Sequence, residues 1–379
     1  MGLLTLFLSL CLFASGTTFC RTTSGDLFLD GVPSSSIVRG PHISCVTQSS
    51  VIITWTTRTD VRSTIRYGLS SNYESVIKEQ NPLTVHEIVL TGLNANRQYH
   101  YRIFSESDST PDYGFWSAVD EKSSFVFAAY GDTRSNQQAH VGVLRQIEKN
   151  KPRFLLQTGD LVARNTVANW DKYFEDLCDS TTVGETIPVF SCPGNHDSGQ
   201  MYYDVLMLPH NNPQQTMEYY SFDYGSVHFI SVNSEIDYKI ESPQYRWLVQ
   251  DLESPTRKAA TFTIAFWHRP PYSSSNHGSD MSVREVLGTL MESYGVDLVF
   301  NGHDHCYERT KPINGVTYVV TGGGGAPLYD FKENANWTAY KEKAYHFCVV
   351  AIEGKVLRMS MTRDDGSVQD SFVIDKGKQ

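Results

Sequence analysis

Five times in this chain an apolar or β-branched run stops on a tight turn that carries metal-type donors. The turns are Gly131-Asp132, Gly159-Asp160, Gly194-Asn195-His196-Asp197, Trp267-His268 and Asn301-Gly302-His303-Asp304-His305. Each run reads as a buried strand, and in four of the five a glycine at its end lets the chain turn sharply. In α/β folds the carboxyl ends of strands are where sites open. Two aspartates, an asparagine, a histidine and a His-x-His pair are the oxygen and nitrogen donors that hard to borderline divalent or trivalent ions take. Singly, each could be a turn or capping residue, and the His-x-His a pair of surface histidines. Five blocks in order point to a two-metal site.

The rest of the chain supplies the frame. At 379 residues it exceeds what one core usually holds, so two domains are expected. Short strands over 51–57, 63–67, 86–90 and 99–103, parted by polar turns, predict a β-sandwich over residues 21–122. Its aromatics read as core, and no chemistry is assigned to it. From Ser123 the rhythm becomes strand, loop, helix. Strands over 125–130, 154–158, 187–192, 261–267 and 296–300 alternate with helices over 139–149, 166–177, 243–252 and 283–294. Ser242 as N-cap and Pro243 at the first helical position mark one helix start. A hairpin turns at Tyr224-Gly225-Ser226, and strands over 317–321, 346–352, 356–362 and 371–374 close the chain. Residues 123–379 are thus expected to form an α/β sandwich of three or four layers around two mixed sheets. The Gly322-Gly323-Gly324-Gly325 run reads as a tight chain passage beside the site rather than a phosphate-binding nest.

Hydrophobic content of 40% and aromatic content of 12% argue against disorder. A net charge of -10 gives no general attraction to nucleic acid or anionic membrane, so an anionic substrate needs a local cationic site, which bound metals supply. Residues 3–13 are almost unbroken apolar and lead into Ala14-Ser15-Gly16, so residues 1–20 read as a signal peptide. That run is too short to span a bilayer and no later one is longer, so a soluble secreted or lumenal protein is expected. If cleavage falls before Cys20, six cysteines remain, with Cys178 and Cys192 ranked first as a disulfide. Asn336-Trp337-Thr338 is a glycosylation sequon.

Two resemblances emerge from these residues. Trp55 and the strand around Tyr99-His100-Tyr101 make the first domain similar to a fibronectin type III module. The ordered blocks, with Tyr307-Glu308-Arg309 behind the last, resemble the purple acid phosphatase branch of the calcineurin-like metallophosphoesterases. The resemblance implies a dinuclear centre of iron, zinc or manganese, with Asp132 and His305 on the first ion and Asp160 bridging. It places Asn195, His268 and His303 on the second, and His196 and His277 as catalytic groups at the phosphate. Asn195 and Arg134 join them as substrate-binding candidates. The reaction implied is hydrolysis of small phosphate monoesters by metal-activated hydroxide, as in acid phosphatases. A phosphodiesterase or nucleotide pyrophosphatase on the same core, or an inactive binding or adhesion protein, are the alternatives. This chain departs from the family at Ala163, where the family has a tyrosine whose charge transfer to iron gives the colour. It departs again at Asp132-Thr133-Arg134, where the family has a glycine. A purple colour is therefore not expected.

The missing tyrosine leaves the first ion short of a donor, and His140 is the expected replacement. It stands three, four and seven residues before Val143, Leu144 and Ile147, so it shares their buried helical stripe. It also lies in the first turn of the helix, next to the strand end that carries Asp132.

Overall fold

The catalytic half folds as it does because its strands are apolar on both faces, and each face finds its own cover. In a strand, alternate residues point to opposite sides. Phe229, Ile264, Phe266, Leu298 and Phe300 belong to the central core, whereas Ile230, Ala265 and Val299 pack with Trp247, Leu248 and Leu287 in a second one. Such strands sit between a sheet on one side and helices on the other. The computed structural model, which describes residues 36–106 and 108–378, shows this arrangement. The stretch read as a signal peptide, with Cys11 and Cys20, lies outside the described residues.

Two sheets face one another. The seven-stranded one runs Tyr220–Tyr224, Val227–Ser231, Phe262–Phe266, Leu298–Asn301, Thr317–Thr321, Tyr307–Thr310, Thr338–Glu342. Its four middle strands, from Val227–Ser231 to Thr317–Thr321, are parallel. The six-stranded one runs Val189–Ser191, Leu155–Gln157, Phe125–Tyr130, His346–Glu353, Val356–Arg363, Val368–Asp375. Its first three strands are parallel and its last three antiparallel. Rings from both sheets fill the space between. Phe127 stacks on Phe154 at 5.1 Å and meets Phe229 edge-on at 5.3 Å and Phe300 at 6.5 Å. With helices outside each sheet, the architecture is the four-layer form of the expected sandwich.

The Gln137–Asn150 helix covers the six-stranded sheet. Asn136 caps it by accepting from the Ala139 amide at 3.2 Å, and Ala139, His140, Val143, Leu144 and Ile147 are its buried stripe. The Pro243–Leu252 helix starts as expected, with Ser242 accepting from the Tyr245 amide at 3.1 Å. Two of the expected helices contain a wide turn, at Glu175–Asp179 and Arg284–Gly288.

Before the sandwich come two smaller sheets, Ile37–Ser44, Ser50–Val61, Leu83–Thr91 and Ser75–Lys78, Ser63–Gly68, Gln98–Ser105 with Tyr113–Trp116 beside it. Trp55 is buried there and stacks on His86 at 4.8 Å. These sheets are continuous with the catalytic half: Tyr101 Oη donates to the Glu185 carbonyl at 2.9 Å and the His42 ring lies 4.8 Å from that of Phe174. Cys45, Cys178, Cys192, Cys306 and Cys348 are all free, which corrects the expected Cys178–Cys192 bridge. Cys178 Sγ points to the Pro41 carbonyl and Cys192 Sγ to that of Gln157, so the two thiols face different neighbours. Among the described residues no helix is long and apolar enough to cross a membrane.

Candidate metal centre

Every block identified in the sequence emerges at the carboxyl end of a strand, at one end of the sandwich. Asp132 follows Phe125–Tyr130, Asp160 follows Leu155–Gln157, Asn195 follows Val189–Ser191, His268 follows Phe262–Phe266 and His303 follows Leu298–Asn301. Three of these residues sit in the left-handed backbone region that side chains seldom adopt, with φ of 56° at Asp132, 54° at Asp160 and 71° at His303. The bend lifts each side chain off its strand into the shared space. Two glycines make room for the carboxylates. A Cβ on Gly194 would lie 2.3 Å from Asp160 Oδ1, and one on Gly302 would lie 2.4 Å from Asp132 Oδ2.

Hydrogen bonds then fix which atoms face inward. His268, His305 and His196 each have Nδ1 2.8 Å from a backbone carbonyl, of Thr158, Pro327 and Ala163 respectively. A carbonyl only accepts, so Nδ1 carries the proton and Nε2 is left with a lone pair. His268 Nε2 lies 3.2 Å from Asn195 Oδ1 and 3.4 Å from Asp160 Oδ1, and His303 Nδ1 is 3.2 Å from it. His305 Nε2 lies 3.5 Å from Asp132 Oδ1. Asp132 Oδ2 accepts from the His303 amide at 2.9 Å, whereas its buried Oδ1 has no hydrogen-bond donor. Asp160 Oδ1 accepts from the His196 amide at 2.9 Å, and its Oδ2 is 3.1 Å from Arg134 Nε. Arg134 Nη2 also comes within 3.3 Å of His305 Nε2.

The electrostatics follow from this crowding. Burial, and then the nearby Asp160, push the Asp132 carboxyl well above the usual range. Burial also works against the charge on Asp160, but His268, the His196 amide and Arg134 outweigh it and hold that carboxyl low. Burial pulls His305 down to about 4 and His303 further still, helped there by His268 and His277. Both imidazoles are thus neutral, the form that binds metal. Among the described residues, Asp132, Asp160 and His268 each bring a ligand atom within 4.8 Å of the others. A dinuclear centre fits these residues, since a cation relieves the repulsion between the carboxylates and satisfies the orphaned Asp132 Oδ1.

His277 stands beside this group. Its ring lies 4.2 Å from that of His303 on an exposed loop, which Asp304 pins by accepting from the His277 amide at 2.8 Å and the Gly278 amide at 3.2 Å. Glu308 holds the same loop through the Ser274 amide at 2.7 Å. Sequence reasoning did not single out Asp304 or Glu308 for this, although both lie in or just behind the His-x-His block. It also missed Tyr329, whose ring stacks on His305 at 4.0 Å and which no motif flags. Asp197 accepts from the Gly194 amide at 2.6 Å and from that of Leu161, tying two of the turns together. The glycine run is a tight passage: the Gly324 amide donates to the Gly131 carbonyl at 2.9 Å and the Ala326 amide to that of Asp132 at 2.7 Å.

His140 parts from the expectation. Tyr130 Oη accepts from Gln157 Nε2 at 3.0 Å, which leaves its own proton for His140 Nε2 at 3.1 Å. His140 Nδ1 then donates to Asp176 Oδ2 at 2.7 Å. Both nitrogens are engaged, so His140 has no lone pair for an ion and belongs to a buried polar chain behind the site. A broad depression of about 620 Å³ over Gly142, Arg145 and Lys149 lies on the outer side of that helix and touches none of these residues.

Comparison with known proteins agrees with the geometry. Residues 125–307 match the calcineurin-like phosphoesterase family, residues 38–123 the purple acid phosphatase N-terminal domain, and residues 315–371 the iron/zinc purple acid phosphatase-like protein C. Purple acid phosphatase 21 of Arabidopsis thaliana is 28% identical over 339 residues, 78% of this chain and 76% of that one. Acid phosphatase type 7 of Homo sapiens is 24% identical over 390 residues, 86% of each chain. The structure of a purple acid phosphatase from yellow lupin (Lupinus luteus) seeds superimposes with a TM-score of 0.77 at 22% identity, covering 88% of this chain and 74% of that one.

Proposed function

Because the chain belongs to the calcineurin-like phosphoesterases, in their purple acid phosphatase branch, and is on that ground a metal-dependent phosphoric ester hydrolase, we propose that it hydrolyses phosphate monoesters at a two-ion centre. Asp132, Asp160 and His305 would hold one ion, and Asn195, His268 and His303, with Asp160 again, a second. The observation that carries this reading is the set of imidazoles, His268 and His305 foremost, whose Nδ1 protons are tied to carbonyls so that Nε2 faces the two carboxylates. Bound there, the ions supply positive charge at the phosphate and a nucleophile from water near neutral pH.

The chain's own residues do the rest. Asn195 contributes an oxygen without a charge, which leaves the centre more positive than a third carboxylate would. Arg134, whose guanidinium contacts Asp160 Oδ2, is placed to hold a phosphate oxygen. His196, with 35% of its side chain exposed and Nε2 3.9 Å from Asp160 Oδ2, faces the open side, where a protonated imidazole can hand its proton to the leaving oxygen. His277 lies on that side too, over His303. Three potential cations around one opening favour a monoester dianion over the singly charged diester, and this supports monoesters as substrates. The apolar stretch at residues 3–13 supports action outside the cell or in a lumen.

The test is metal analysis together with turnover of an aryl phosphate and a bis-aryl phosphate. About two ions per chain and a kcat/KM at least tenfold higher for the monoester are expected. Equal or faster hydrolysis of the diester would refute the monoester reading.

A further inference from the structure

Beside the centre lies a cavity of about 310 Å³, at the lower end of the roughly 300–1,000 Å³ that small-molecule sites occupy. It shares Arg134 with the centre, and its walls include Ala163, Asn169, Lys172 and Asp176. At Ala163 a large side chain would take up part of this space, whereas a methyl group leaves it open. The backbone there is committed to the centre, because the Ala163 carbonyl accepts from His196 Nδ1 at 2.8 Å. The wall is polar in a way the fold does not require. The Lys172 ammonium forms no hydrogen bond or ion pair among the described residues. Asp176 is 5% exposed, and only its Oδ2 has a donor, His140 Nδ1, while Oδ1 has none. In a chain with a net charge of -10, the exposed, unpaired Lys172 ammonium and Arg134 thus line one recess beside the proposed metal centre.

We propose that this cavity is a leaving-group subsite for phosphate monoesters whose alcohol carries a second anionic group and free hydroxyls. The proposal rests on the monoester reading above and names the class of substrate that the site selects. The second anion pairs with Lys172, a charge-assisted contact in a partly enclosed recess. Hydroxyls of the alcohol meet the Asn169 side chain on the cavity wall. A flat aryl alcohol offers none of these partners.

The experiment compares kcat and KM of the metal-loaded enzyme for a hexose bisphosphate, a hexose monophosphate and an aryl phosphate. Glycerol 3-phosphate and 3-phosphoglycerate form a further pair, in which only the latter adds a carboxylate. The wild type is expected to prefer the bisphosphate over the monophosphate by about tenfold in kcat/KM, through KM. If 3-phosphoglycerate is preferred to glycerol 3-phosphate to the same degree, any second anion suffices; if not, the subsite takes phosphate. Lys172→Ala, an exposed position where folding is not at stake, should abolish the preference, and Ala163→Phe should do so by filling the recess. A wild type without the preference, or one whose preference survives both substitutions, overturns the subsite. If two ions are bound yet no ester is turned over, the monoester reading has failed on its own account. Calorimetric binding of the hexose bisphosphate then decides the subsite, since equal affinity in wild type and Lys172→Ala overturns it.

Discussion

His228 should make this protein most stable on the acid side of neutrality. The residue is buried in the Val227–Ser231 strand, with Nδ1 2.7 Å from Asp223 Oδ1 and Nε2 2.9 Å from Asp251 Oδ2. Both partners are carboxylates, which only accept, so both nitrogens can donate only in the imidazolium. Burial opposes that charge, yet the two hydrogen bonds and the two negative charges outweigh it and raise the histidine from 6.5 to about 9. A folded-state pKa above the unfolded one means the stabilisation is fully present below about 6.5 and is lost as pH rises through about 9. At about 1.4 kcal/mol per unit the interval corresponds to somewhat over 3 kcal/mol. Solvent at Asp223, whose side chain is 50% exposed, screens one of the two pairs and trims this to about 2–3 kcal/mol. Urea unfolding of the wild type and His228→Gln at half-unit steps from pH 6 to pH 10 reads the effect directly. The gap between the two proteins should close by about 2 kcal/mol across that range. A gap that stays constant with pH, or an NMR titration placing His228 below pH 7, would refute the reasoning.

Three further outcomes are expected. Glu185 is buried with its carboxyl raised to about 8, chiefly by desolvation, so the native state holds the proton more tightly than the unfolded one and stability falls as pH rises from about 4.5 to 8. Glu185→Gln should therefore gain on the wild type over that window and level off above it; a urea midpoint difference identical at pH 5 and pH 8.5 would contradict this. Gly302→Ala places a Cβ 2.4 Å from Asp132 Oδ2 and 2.9 Å from the Thr158 carbonyl, so the carboxylate must leave the His303 amide. Metal bound per chain should drop and stability fall by about 1–3 kcal/mol, and wild-type metal content would show that the close packing is unimportant. His277→Ala should lower kcat by about a hundredfold with both ions retained, and unchanged kinetics would remove His277 from the reaction.

How much of this was legible depended on whether the signal was local. Strands such as Phe125–Tyr130 and Phe262–Phe266 announce themselves by an apolar run, and their ends by the glycine or donor that follows, so the edge where the site lies could be read directly. Edge strands carry no such signal. Thr338–Glu342 mixes lysine, glutamate and tyrosine and is only half-buried, and the inner strand beside it, Tyr307–Thr310, continues the His-x-His block without a hydrophobic rhythm. Ile37–Ser44 is interrupted by Gly40-Pro41, which breaks the alternation a strand would show. Asp304 and Glu308 escaped for another reason: what they hold, the loop around His277, is some thirty residues away in sequence, as in the Ser274–Glu308 contact at a separation of 34.

His140 marks the boundary most sharply. Helical periodicity states which side of a helix a residue occupies, and on that point His140, Val143, Leu144 and Ile147 are alike buried. It does not state what stands opposite. The partner is Asp176, separated by 36 residues, on a turn wider than an α-helical one that carries Asp176 and Leu177 inward. One extra residue in that turn changes which side chains face the core, and nothing in the composition of Glu175–Asp179 distinguishes it from an ordinary helix end. The consequence reaches the centre. An ion held by Asp132 and His305, as proposed, would find no side-chain donor at Ala163, and His140 is engaged with Asp176 and Tyr130 instead. Ala163 lines the recess beside Arg134, so on the proposed reading the same small side chain would bear both on the metal's surroundings and on the alcohol that can lie next to it.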